Sequence, residues 1–139
     1  MSLENLARIG QLEAIEPDPA QIARLLAAAH RALKDAGTDG LGAESRFDIA
    51  YRAVMQVANL ALQANGFRTP TSRPGHHQTM IQTLSLTLDL DQVLVVELDA
   101  LRKQRNAIDY SGDIVSDPVA DDVIKHAEHL LKLAATRWP

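Results

Sequence analysis

Along one stretch of this sequence, Leu94, Leu98, Leu101 and Ile108 repeat at helical spacing. The series skips one member, position 105, where the residue is arginine. An arginine on a buried stripe must be paired, or must face a cavity or a partner, because an unpaired buried charge is too costly. Asp109 lies one turn after Arg105 and Arg102 one turn before, so the three share one side of the helix. Asn106 borders the same patch and Tyr110 follows. Two readings stand. In the first, Arg105 and Asp109 form an intrahelical pair and the guanidinium snorkels to the helix end. In the second, the cluster is a polar site at a bundle end or a dimer seam.

The histidines are the other chemical candidates. His77 shares a stripe with Ile81, Leu84 and Leu88, where a histidine is more often a hydrogen-bonded core residue. His76 adjoins it and Arg73 precedes both. Adjacent histidines point in different directions and make a poor chelate. His126 and His129 have chelating spacing but no obvious third ligand, so surface placement is expected and no metal site is assigned. His30 carries no further signal. No Gly-rich phosphate loop, Gly-x-Ser-x-Gly elbow or His-Glu-x-x-His motif occurs, and no glycosidase-like carboxylate pair can be identified. No cofactor is expected.

The elements that must position these residues follow from composition and periodicity. The 139 residues are 46% hydrophobic and 23% charged, enough for one packed core and too few for two. Cysteine is absent, which excludes disulfide scaffolds, thiol nucleophiles and Cys-ligated metals. Aromatic content is 4% while Ala and Leu abound, a balance that favours helix over strand. The pattern predicts a single all-α domain over 1–139, an up-and-down bundle of five to six helices. A short first helix is expected over 3–14. The second starts at Asp18 as cap, with Pro19 at the first position and Gln21 closing a capping box, and stops at Gly37. The third spans 43–65, with Phe47, Tyr51, Val54, Met55, Ala58 and Leu62 as its apolar stripe. An irregular connection over 67–75 leads to a helix over 76–88. The fifth opens at Asp91 and ends before Gly112, and the sixth starts at Asp117 and Pro118.

At Leu101, Arg102, Lys103, Gln104, Arg105, Asn106, Ala107, Ile108, Asp109 and Tyr110 the chain resembles the HEPN superfamily. Members are small all-α bundles whose signature is an arginine, a polar residue and, a few positions on, a histidine. Arg105 and Asn106 match the first two positions; Tyr110 stands where the family has histidine, so the chain resembles a degenerate member. The helix over 46–55, and its spacing from the Gly-His loop and the motif helix, are also similar. The resemblance covers about 43–135. It implies a homodimer with the motif near the two-fold axis, RNA binding or cleavage between protomers, and a place in toxin–antitoxin or defence systems. A nucleotidyltransferase or antitoxin would then be a partner.

Imidazole titrates near neutrality and suits metal-independent RNA cleavage, whereas tyrosine, with a pKa of about 10, is a weak base there. The resemblance therefore leaves two outcomes: a binder without efficient catalysis, or an endoribonuclease in which His76 or His77 supplies the proton. Catalytic candidates are Arg105, Asn106, Tyr110 and His77. Nucleic-acid contacts would come from Arg102, Lys103, Arg105, Asn106, Asp109, Tyr110, Arg73 and His76. A partner-binding helical bundle is the alternative from a different class. Net charge is −4, which argues against coating nucleic acid by bulk electrostatics but leaves a local basic site open. With neither a signal-like N-terminus nor a run of about 20 apolar residues, a cytoplasmic protein without membrane contact is expected. For a dimer, the helices over 76–88 and from Asp91 onward are the expected interface.

Overall fold

The computed structural model describes residues 1–72 and 74–139. The protein is an all-α helical bundle: α1 (Leu3–Arg8), α2 (Pro19–Ala36), α3 (Ala43–Ala64), α4 (His76–Gln82), α5 (Leu84–Thr87), α6 (Gln92–Ser111) and α7 (Asp117–Arg137). Among the described residues no helix is long and apolar enough to cross a membrane.

Capping chemistry sets most boundaries. Asp18 accepts a hydrogen bond from the Ala20 amide at 3.0 Å, with Pro19 opening α2. Gln21 closes no capping box; it accepts from the Arg24 guanidinium at 2.6 Å instead. Asp91 caps α6 through the Val93 amide, and Gly112, left-handed at φ 70°, ends it. The cap of α7 is Ser116, one residue ahead of the expected Asp117.

The core is built around α3. Phe47, Ala50, Val54, Val57, Ala58, Leu60 and Ala61 are buried among residues of α2, α4, α6 and α7. Alanines at 29, 32 and 36 on α2 and at 120, 127 and 134 on α7 let these helices approach α3 closely. Arg46 at the start of α3 spans to α7, donating to Asp121 at 2.7 Å and Asp117 at 2.6 Å. Asp121 is thus an interhelical tie.

Two expectations fail near the N-terminus. The helix over 3–14 stops at Arg8, because Gly10 turns the chain at φ 81°. Residues Glu13–Ala14 form β1, which pairs antiparallel with β2 (Phe67–Arg68), so the connection over 67–75 begins as strand. The pairing is too short for any alternation to reveal it in sequence. It nonetheless anchors an N-terminal hook made of α1 and β1: Leu3 and Leu12 bury against Leu62, with Leu6, Phe67 and Met80 around them. The helix expected over 76–88 divides at Thr83, whose hydroxyl donates to the Met80 carbonyl at 2.9 Å.

The hook depends on Gly66, at φ 87°, whose carbonyl accepts from the Ile15 amide at 2.8 Å. A Gly66→Ala substitution forces a side chain into the left-handed region and is expected to cost about 1 kcal/mol. Urea unfolding followed by circular dichroism reads this as a lower midpoint with unchanged slope.

Candidate functional site

Arg105 does not splay into solvent. Its side chain is 36% exposed and lies back across the bundle toward α3. The guanidinium carbon stands 5.4 Å from the centre of the Tyr51 ring, a cation–π contact generally worth about 1 kcal/mol. Two carboxylates flank it loosely. Asp109 accepts from Nη1 at 3.5 Å and Asp48 lies 3.6 Å from Nε. At that separation Nε makes no hydrogen bond among the described residues, although it is buried. Arg105 is therefore held by a ring face and two stretched ion pairs, so an incoming anion need not displace a tight one.

Tyr51 is the platform of the site. Its ring is parallel to that of Phe47 at 6.4 Å, and His77 of α4 leans on it at 6.3 Å. Burial raises the Tyr51 pKa above its ordinary value, outweighing the opposing influence of Arg105 and Arg102, so the phenol stays protonated at neutral pH. His77 shifts the other way. Desolvation on its inner side, then the neighbouring His76, Arg105 and Arg102, lower its pKa and keep the imidazole neutral. The two histidine rings meet edge to face at 4.5 Å.

Around Arg105 opens a groove of about 440 Å³, lined along α3 by Asp48, Arg52, Gln56 and Asn59, with His77 and Met80 opposite. The four α3 residues recur at helical spacing and form a polar strip on the one side of α3 that no helix covers. In sequence this strip has the signature of an ordinary solvated face, which is why Asp48, Arg52, Gln56 and Asn59 went unassigned. Tyr51 was legible as apolar stripe but not as a platform.

The remaining sequence candidates fall in different places. Arg102 donates to Asp99 at 2.8 Å with both side chains largely buried, and this bond is the main cause of the depressed Asp99 pKa. Lys103 reaches the same carboxylate at 3.6 Å from a mostly exposed position. Asn106 and Tyr110 are exposed, Tyr110 at 93%, and neither lines the groove. His76 faces a second, polar cavity with Gln11, Gln78 and Thr79. Arg73 lies outside the described residues. His126 approaches Glu97 at 3.5 Å, and among the described residues no group of three or more potential ligands could hold a metal ion. No protein-family model, no curated protein and no solved structure matches this chain.

The depressed His77 pKa has a signed consequence for stability. Above about pH 6.5 the imidazole is neutral in both folded and unfolded chains and contributes nothing. As pH falls below that value, the unfolded chain takes the proton first and the folded state loses stability. In a His77→Asn variant this part of the acid destabilisation disappears. Melting temperatures of both proteins between pH 7.5 and pH 5 should diverge in that sense, and parallel curves would contradict the assignment.

Proposed function

We propose that this protein is a HEPN-like nucleic-acid-binding module, working as a homodimer, without efficient catalysis. One observation carries the binding part: the Arg105 guanidinium, laid on the Tyr51 ring at the mouth of an open groove, keeps only stretched ion pairs. Such a cation can meet a phosphate while its stacking holds it in place. Arg52 adds a second cation on the groove wall. The bulk charge of −4 is compatible with this, because two cations meet on one groove. Lying in an exposed position away from the groove, Tyr110 supports binding over cleavage, since no imidazole of α6 stands beside Arg105 in place of the family histidine.

One feature favours a second reading, a metal-independent endoribonuclease. His77 presents a neutral imidazole against the ring that Arg105 covers, so a base and an anion-stabilising group share one platform. Purified protein incubated with mixed RNA and chelator distinguishes the two. Products that vanish with His77→Ala favour the nuclease, and intact RNA at high protein excess favours the binder.

The homodimer rests on the outer face of α6. Val93, Val96, Ala100, Lys103, Ala107 and Tyr110 recur in alternating steps of three and four, a coiled-coil seam, and all are exposed. Val93 and Val96 are 64% and 60% exposed. An antiparallel pairing centred between Ala100 and Lys103 sets Val93 against the partner's Tyr110, Val96 against the partner's Ala107, and Ala100 against the partner's Lys103. In each pair the larger side chain meets a smaller one. Helical geometry places Arg105 on the opposite side of α6 from this seam. The two grooves then face outward, not the two-fold axis where the resemblance puts the motif. A toxin–antitoxin or defence role, with a nucleotidyltransferase or antitoxin partner, remains part of the proposal on the resemblance alone.

Two measurements test the proposal. Fluorescence anisotropy with labelled RNA over a salt series should show Arg105→Ala binding about tenfold weaker, with the salt slope reduced by about one. Unchanged affinity and slope reject the groove as the binding site. Sedimentation velocity should show a dimer that Val96→Glu converts to monomer, and a wild-type monomer at micromolar concentration rejects the seam.

A further inference from the structure

Resting on the nucleic-acid reading above, we infer that the groove behind Arg105 holds one unpaired nucleobase, read by the Gln56 amide and stacked beside Met55 and Met80. The first support is an orphaned polar group. The Gln56 Oε1 atom is buried without a hydrogen-bond partner among the described residues. An unsatisfied buried acceptor normally costs stability and needs an explanation. The NH₂ on the other side of this amide is not shut away and makes no hydrogen bond among the described residues, and the side chain lines the cavity. The groove thus offers a donor from a planar group whose acceptor lies unsatisfied beside it, and a modest turn of the side chain brings both to a base edge carrying C=O beside N–H.

The surroundings suit a flat heterocycle. Ile49, Met55 and Met80 supply apolar walls, and thioethers pack readily against aromatic rings. Gln63 Nε2 donates to Asn59 Oδ1 at 3.1 Å, which fixes that amide and turns its own NH₂ away from Gln63. Arg52 and Arg105 stand at the rim. A nucleotide entering base first leaves its phosphate at the cations. The volume of about 440 Å³ is that of a small-ligand site and exceeds what a lone phosphate needs. A base paired in a duplex cannot enter, because its edge is occupied and its faces are stacked. The groove therefore selects single strands through Gln56, whereas Arg105 contributes to any RNA.

The test compares three labelled RNAs in anisotropy: a short single strand, the same strand with abasic sites, and a blunt hairpin. Wild-type protein is expected to bind the intact strand roughly tenfold or more tightly than the abasic one, in keeping with the stacking of one base. Gln56→Met removes the amide while keeping side-chain length. It should lower the ratio of intact to abasic affinity severalfold without abolishing it, because stacking beside Met55 and Met80 persists. Gln56→Glu, an isosteric change, is the second variant should Gln56→Met melt early, and the same ratio is read. Equal binding of intact and abasic strands by wild-type protein, or a ratio unmoved by both variants, overturns the base site while the nucleic-acid reading stands. Absence of binding to all three RNAs overturns both.

Discussion

The architecture depends on a packing constraint on α3. This helix is covered by α2 on one side, α7 on another and α4 on a third, and its core residues from Phe47 to Leu62 are almost entirely shut from solvent. A helix so enclosed has only one direction left in which to carry polar side chains. Asp48, Arg52, Gln56 and Asn59 occupy that direction, and the groove is the gap that they leave between α3 and α4. Tyr51 lies at the edge of the enclosed region, where its ring needs neighbours for both faces. Arg105 and His77 come to it from two other helices. The site is thus a by-product of how the core closes.

Electrostatics sharpens this picture. Arg46, Arg68, Arg102 and Arg137 each hold a carboxylate at 3.0 Å or less. Arg105 differs, with two carboxylates at longer range and an unbonded Nε. Among the described residues Arg52 makes no ion pair at all. In an acidic chain with abundant carboxylates, two under-committed guanidinium groups on one groove are a local concentration of attraction for anions.

Much of the fold was legible because helices announce themselves in periodicity and caps. Asp18 with Pro19, Asp91 and Gly112 set boundaries that the structure keeps. The β1–β2 clasp was not legible, since two residues a strand give no pattern and the pairing joins segments far apart in sequence. The site was half legible. Arg105 stood out because it breaks an apolar series, and His77 because it shares one. Which partners Arg105 takes was beyond reach, because Asp48 and Tyr51 lie on another helix and only tertiary packing brings them near. The emphasis on Tyr110, Asn106 and Lys103 came from closeness in sequence, which a helix scatters around its circumference.

Arg137, at the end of α7, donates to the Thr87 carbonyl at 2.7 Å and to Asp89 at 3.0 Å. Asp89 takes a left-handed backbone at φ 52°, unusual for a residue with a side chain. The final turn of α7 thereby works as a bolt across the bend that launches α6. Trimming those last residues, or letting them fray, would release the bend and with it the angle at which α6 leans on the bundle. The Arg105 guanidinium, sixteen residues beyond Asp89, would then swing by a distance magnified by the lever. The end of α7 thus bears, through that bend, on a helix whose Arg105 lines a groove that Arg137 itself does not reach.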